Sequence, residues 1–226
     1  APVPGRVFEI GFGEGFELAE LERRGWKISG VDFTDEGARM QNPDILDRVV
    51  VGDVFDVLDD LVKADAQFDL LICNNVLEHV PDPERLAESA AKLVTPEGVA
   101  RFVVPNDGSV LQKAVVDAGA APDQFWVRFP DHLNYFTTET APLLLHAAGW
   151  EVVDVLGAFP IDFFLFNPET NYVLHPERGK PCHRARLAIE NALAATGIDR
   201  LIQFRRGCAA AGIGRDVVVY ARTRPE

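Results

Sequence analysis

Val7-Phe8-Glu9-Ile10-Gly11-Phe12-Gly13-Glu14-Gly15 is an apolar strand that runs straight into a glycine-spaced, acidic turn, and the residues from Glu14 to Arg24 then take the spacing of a helix. Glycines at alternate positions let a backbone turn tightly and approach a ligand with no Cβ in the way. The stretch reads as a nucleotide-cofactor loop between a strand and a helix. Dinucleotide loops follow G-x-G-x-x-G. Here the third glycine comes one residue early and Phe16 stands in its expected place, which weighs against a nicotinamide or flavin cofactor.

Working outward, a second apolar strand, Lys27 to Val31, ends in Asp32, seventeen residues after Gly15, where an acid can take both hydroxyls of a ribose. A third, Val49-Val50-Val51, ends in Gly52-Asp53-Val54, and a fourth, Phe68 to Cys73, ends in Asn74-Asn75-Val76-Leu77-Glu78-His79. Four strands each deliver polar residues at their carboxyl ends, the edge at which open parallel α/β sheets bind ligands. Helices are expected over 83–93, opened by Pro81-Asp82-Pro83, and over 109–118 and 138–148. Further strands are expected over 99–104, 151–156 and 217–222. Pro96-Glu97-Gly98 reads as a turn.

With these segments in place, the sequence resembles the class I S-adenosylmethionine-dependent methyltransferases, in particular the broad small-molecule group with Leu-Glu-His after the fourth strand. The resemblance runs from about Gly5 to Val155. It implies an α/β, Rossmann-like fold: a seven-stranded, mostly parallel sheet with helices on both faces, the last strand antiparallel, and a long insertion before that strand. The domain would comprise residues 1–156 and 216–226, and residues 157–215 would form a lid, substrate or dimer segment. An unstructured loop of that length is improbable in a compact domain, so the insertion is expected to fold, with a helix over 182–195. Helices that precede the first strand in the family are not in this sequence; either they lie outside it or another segment covers the cofactor.

The resemblance also assigns roles. S-adenosyl-L-methionine, and its product S-adenosyl-L-homocysteine, would lie against Gly11, Gly13 and Gly15, with Glu9 near the ammonium group and Asn74 beside the methionine end. Asp32 would hold the ribose, Phe33 would flank the adenine, Asp53 would accept from its amino group and the Val54 N–H would donate to a ring nitrogen. A hydroxyl acceptor must lose a proton as the new bond forms, which favours a histidine base. His79 and His132 are the candidates, each with the alternative of bonding loop backbone. Acceptor contacts are expected from Trp126, Arg128 and Tyr135, and in the insertion from Asn171, Tyr172 and Arg186.

Composition narrows the partners. Thirty-five acidic residues against 22 Lys and Arg give a net charge of −13, which repels phosphate backbones and disfavours nucleic acid. Arg200, Arg205, Arg206 and Arg215 form one basic cluster, readable as solvated, ion-paired surface or as contacts for an anionic, sugar-like acceptor. A weaker resemblance of the insertion to uncharacterised bacterial methyltransferases often associated with surface-polysaccharide synthesis, carried by 167–173, Gly179-Lys180, His183, Arg186 and Gly212 to Arg215, points the same way. Three cysteines without paired spacing indicate neither a disulfide framework nor zinc, and no metal is expected. With no signal-like start and no run of about 20 apolar residues, the expected location is the cytoplasm. The expected partners are a small-molecule acceptor and a second copy in a homodimer, not nucleic acid or membrane. The alternatives are a nucleic-acid or protein methyltransferase, or a catalytically silent cofactor-binding protein.

Overall fold

The computed structural model describes residues 4–224. The first half alternates strand and helix: β1 (Arg6–Ile10), α1 (Phe16–Arg23), β2 (Lys27–Asp32), α2 (Glu36–Gln41), β3 (Val49–Val51), α3 (Val54–Lys63), β4 (Phe68–Asn74), α4 (Pro83–Ala91) and β5 (Val94–Pro105). The second half carries α5 (Val110–Asp117), α6 (Thr140–Ala147), β6 (Trp150–Gly157), α7 (Gly179–Ala195), α8 (Ile198–Ala210) and β7 (Asp216–Thr223). The seven strands lie in the order β3-β2-β1-β4-β5-β7-β6. β1 to β5 pair in parallel, and β7 runs antiparallel between β5 and β6. The Rossmann-like sheet implied by the sequence is the one observed.

Local chemistry sets the element ends. Asp53 caps α3, its Oδ1 accepting from the N–H of Phe55 (2.8 Å) and Asp56 (3.3 Å), and Asp82 caps α4 ahead of Pro83 at the first helical position. α1 stops at Gly25, whose φ of +90° suits a residue without Cβ. Four of the five residues of β1 are buried, as expected of a strand covered on both faces.

Two compact units emerge from the contacts. One comprises Ala1–Val103, Leu143–Asp154 and Tyr220–Glu226; the other comprises Val104–Pro142 and Val155–Val219. In the first, Val7, Phe12, Leu18, Ile28, Ala38, Ile45 and Ile72 form a core, and Trp150 sits fully buried, edge-on to Phe102 at 5.2 Å with its indole N–H on the Ala87 carbonyl. In the second, Val115, Ala121 and Leu165 pack with Phe125, Tyr172 and Val173.

The structure corrects two element boundaries and adds one helix. β5 begins at Val94 rather than Val99, because Pro96-Glu97-Gly98 is not a turn before the strand but an irregularity within it. The register passes from Phe68 opposite Val94 to Leu70 opposite Val99. Gly98 permits this, since a Cβ there would stand 2.6 Å from Val94 Cγ1. The arginine-rich stretch after residue 197 is the helix α8, and α7 starts at Gly179 rather than Cys182. Among the described residues, no helix is long and apolar enough to cross a membrane.

Candidate cofactor site

The glycine turn follows β1, and the carboxyl ends of the two neighbouring strands reach it: Asp32 after β2 bonds the Gly13 N–H, and Val76 after β4 stands against Gly11. Gly11, Gly13 and Gly15 all have φ between +51° and +76°, a region costly for residues with a Cβ. Their surroundings differ. A Cβ on Gly11 would lie 2.4 Å from Val76 Cγ2 and one on Gly15 2.3 Å from Ile45 Cδ1, so those two allow close packing. Around Gly13 no atom lies within 4 Å of such a Cβ, so this glycine faces open space.

Asp32, at the end of β2, is 8% exposed and braces the turn: its Oδ2 accepts the Gly13 N–H at 2.9 Å and its Oδ1 the Thr34 N–H at 3.3 Å. The ring of Phe33 beside it is 85% exposed. At the end of β3 the α3 cap uses Oδ1 of Asp53 alone and does not reach the Val54 N–H, one of the first-turn donors a helix leaves without an internal acceptor.

Glu9 is 4% exposed, and its Oε2 is buried with no hydrogen-bond partner among the described residues. Burial first, then the charge of Glu17, pushes its pKa up to about 8, with Arg101 acting in the opposite direction. Glu9 and Arg101 share one row of the sheet, since Glu9 pairs with Ile72 and Ile72 with Arg101. Residues in register across parallel strands project from the same face. On that face Asn74 donates to Glu17 Oε2 at 2.8 Å, and Arg101 bonds both Glu17 Oε2 and Asn74 Oδ1.

Sequence reasoning did not find Glu17 and Arg101. The available signal was one arginine inside the otherwise apolar run Val99 to Val104.

The remaining candidates are placed as follows. His79, 43% exposed on its side chain, lies 4.0 Å from buried Glu78. In the second unit, His132 and Tyr135 have ring centroids 6.3 Å apart, Trp126 is edge-on to Phe125, and Arg128 is exposed. Asn171 is 2% exposed and donates to the carbonyls of Ala120 and Leu165, which ties the insertion to the segment after α5. The Tyr172 hydroxyl donates to Asp162, whose other oxygen stands 3.6 Å from Arg215, and burial drives the phenol pKa upward. Arg186 and Arg205 both pair with Glu190. Three arginines of the insertion are therefore committed to carboxylates of the same unit.

A family model described as a methyltransferase domain matches residues 1–155. A ubiquinone biosynthesis O-methyltransferase from Pectobacterium atrosepticum is 26% identical over 192 residues, covering 78% of this chain and 77% of that protein. A SAM-dependent methyltransferase from Archaeoglobus fulgidus superposes with a TM-score of 0.62 at 17% identity, over 97% of this chain and 86% of its own. The 1,6-didemethyltoxoflavin-N1-methyltransferase of Burkholderia thailandensis, solved with S-adenosylhomocysteine, superposes at 0.56 with 17% identity, over 98% and 72%. The chain belongs to the methyltransferase-domain family. It is a class I S-adenosylmethionine-dependent methyltransferase, and its cofactor is S-adenosylmethionine.

Proposed function

We propose that the chain transfers a methyl group to oxygen or nitrogen of a small polar acceptor, with the cofactor held across the carboxyl ends of β1 to β4. The observation that carries the site is the buried, unpartnered Oε2 of Glu9 close to a glycine turn open at Gly13, because a buried carboxyl oxygen without a partner is satisfied when the cofactor's ammonium donates to it. Asp32 keeps capacity on both oxygens for the ribose, Phe33 offers a bare ring to the adenine, and Asp53 Oδ2 with the Val54 N–H suits its amino edge. When bound, S-adenosylmethionine supplies a methyl on a sulfonium that leaves as a neutral thioether. The protein's share is then alignment, exclusion of water and, for a hydroxyl acceptor, a place for the proton. His79 and His132 are the proposed bases.

The support for an anionic, sugar-like acceptor weakens, because Arg186, Arg205 and Arg215 already face Glu190 and Asp162. An uncharged acceptor fits these pairings better, contacted by Trp126, Arg128 and Tyr135. Residues 157–215 serve in this reading as a lid, substrate or dimer segment.

Titration calorimetry with S-adenosylhomocysteine tests the site. Asp32→Ala should weaken binding by about 2–4 kcal/mol, through lost charge-assisted hydrogen bonds to ribose and to the Gly13 turn. Equal binding by parent and variant would remove Asp32 from the site. Methyl transfer to a panel of hydroxyl and amine acceptors then separates an enzyme from a cofactor-binding protein without turnover.

A further inference from the structure

Two carboxyls of the first unit meet one face of the sheet and have opposite surroundings. Glu9 pairs in register with Ile72 and Ile72 with Arg101, so Glu9 and Arg101 project from the same face with their backbones about 10 Å apart. Glu17 reaches that face from α1. The first turn of this helix has no side-chain cap, and Glu17, its acidic residue, bonds the sheet instead: Oε2 accepts from Arg101 and, at 2.8 Å, from Asn74 Nδ2. Arg101 also donates to Asn74 Oδ1 at 3.1 Å, which closes a ring of three hydrogen bonds. One oxygen of Glu17 thus has two donors, while Oε2 of Glu9 has none among the described residues.

The ring admits one arrangement. Asn74 offers its acceptor to Arg101 and a donor to Glu17; a reversed amide would set its NH2 against the guanidinium. Charged groups act on Glu9 from three elements. Glu17 on α1 and Asp32 on β2 oppose its ionisation, and Arg101 on β5 favours it. Cys73 on β4 stays uncharged, because burial drives its pKa upward, and Tyr220 on β7 acts on Arg101. Arg101 is therefore the cation of this set, and its charge is divided: it forms an ion pair with Glu17 and also acts on Glu9.

We infer that Arg101 and Glu17 are positioning residues for the cofactor's amino-acid end: bonded to each other and to Asn74, they leave Glu9 as the carboxyl open to the ammonium. The inference rests on the cofactor-site reading. Without Arg101, Glu17 becomes a second unpaired carboxylate, which competes for the ammonium and holds Glu9 in its protonated form. With Arg101 and the ammonium both present, two cations face two carboxylates, and Glu9 ionises without leaving a buried charge uncompensated. Both residues act through Glu9, so their mark is the pH at which the amino-acid end is bound.

Two ligands test this by calorimetry across pH: S-adenosylhomocysteine, and 5′-methylthioadenosine, which lacks the amino-acid end. In the parent, affinity for S-adenosylhomocysteine should rise with pH and level off near the free Glu9 pKa of about 8. Arg101→Met should move that midpoint up by about one pH unit, which weakens binding about tenfold at pH 7. Glu17→Gln should move it down by about as much, because an opposing charge is gone and Arg101 is released toward Glu9. Arg101→Lys, which keeps the charge, should hold the parent's midpoint. The ligand's own amino group titrates alike in every sample, so differences among variants belong to the protein. Methylthioadenosine should bind all four proteins equally at every pH, which reports an intact fold. Midpoints that stay at the parent's value, or that move the same way in Arg101→Met and Glu17→Gln, overturn the inference. If Arg101→Met does not fold, Glu17→Gln and Arg101→Lys decide: a lowered midpoint in the first and none in the second support it, and any other pair of results overturns it. A parent that binds neither ligand overturns the cofactor-site reading itself, and the inference with it.

Discussion

At the residue scale, Glu9 links burial, charge and ligand. A carboxyl with a raised folded pKa is protonated in the fold while the unfolded chain ionises near 4.5, so the unfolded state releases its proton first as pH rises. Stability of the free protein should fall between about pH 4.5 and 8, and Glu9→Gln should flatten that part of the profile in denaturant titrations run across pH. Binding of the cofactor's ammonium beside Glu9 reverses the balance and favours the ionised carboxylate. Calorimetry at pH 7 in two buffers of different ionisation heat should therefore detect proton release on binding S-adenosylhomocysteine, and Glu9→Gln should abolish it. A profile and proton count unchanged by the substitution would disconnect Glu9 from the ligand.

At the scale of elements, two glycines of the same unit should respond oppositely to alanine. Gly207 lies inside α8 with nothing within 4 Å of a Cβ position, so Gly207→Ala gains helix propensity and should stabilise by about 0.5–1 kcal/mol in urea unfolding. Gly157 ends β6 where a Cβ would stand 2.8 Å from the Ala209 N and 2.9 Å from the Cys208 carbonyl carbon. Backbone cannot give way as a side-chain tip does, and Gly157→Ala should destabilise by about 1–3 kcal/mol. Gly214 packs on Gly157, its Cβ position 2.6 Å from Gly157 Cα, which accounts physically for the glycine at 214.

For the whole molecule, the second unit changes what the insertion means. Leu165, Tyr172 and Val173 of the insertion share a core with Val115, Ala121 and Phe125, which precede it by some forty residues. Segment 157–215 is therefore half of a core rather than an appended loop. Replacing it with a short hairpin would uncover the apolar side of α5, and the variant should aggregate in size-exclusion chromatography. A soluble variant with full methyl transfer would refute this account.

The sheet could be read in the sequence because its evidence is local. Apolar runs ending in Gly11, Asp32, Asp53 and Asn74 specify parallel strands and their ligand edge with few alternatives, and Ser109 and Asp82 mark helix starts by their own chemistry. What only the tertiary structure decided is who meets whom. Arg205 and Arg215 have the same appearance in sequence whether they await an anion or face Glu190 and Asp162, and Arg101 looks like one charge in a buried strand until register sets it in the row of Glu9. Pairing and desolvation depend on residues distant along the chain, and a local pattern cannot encode them.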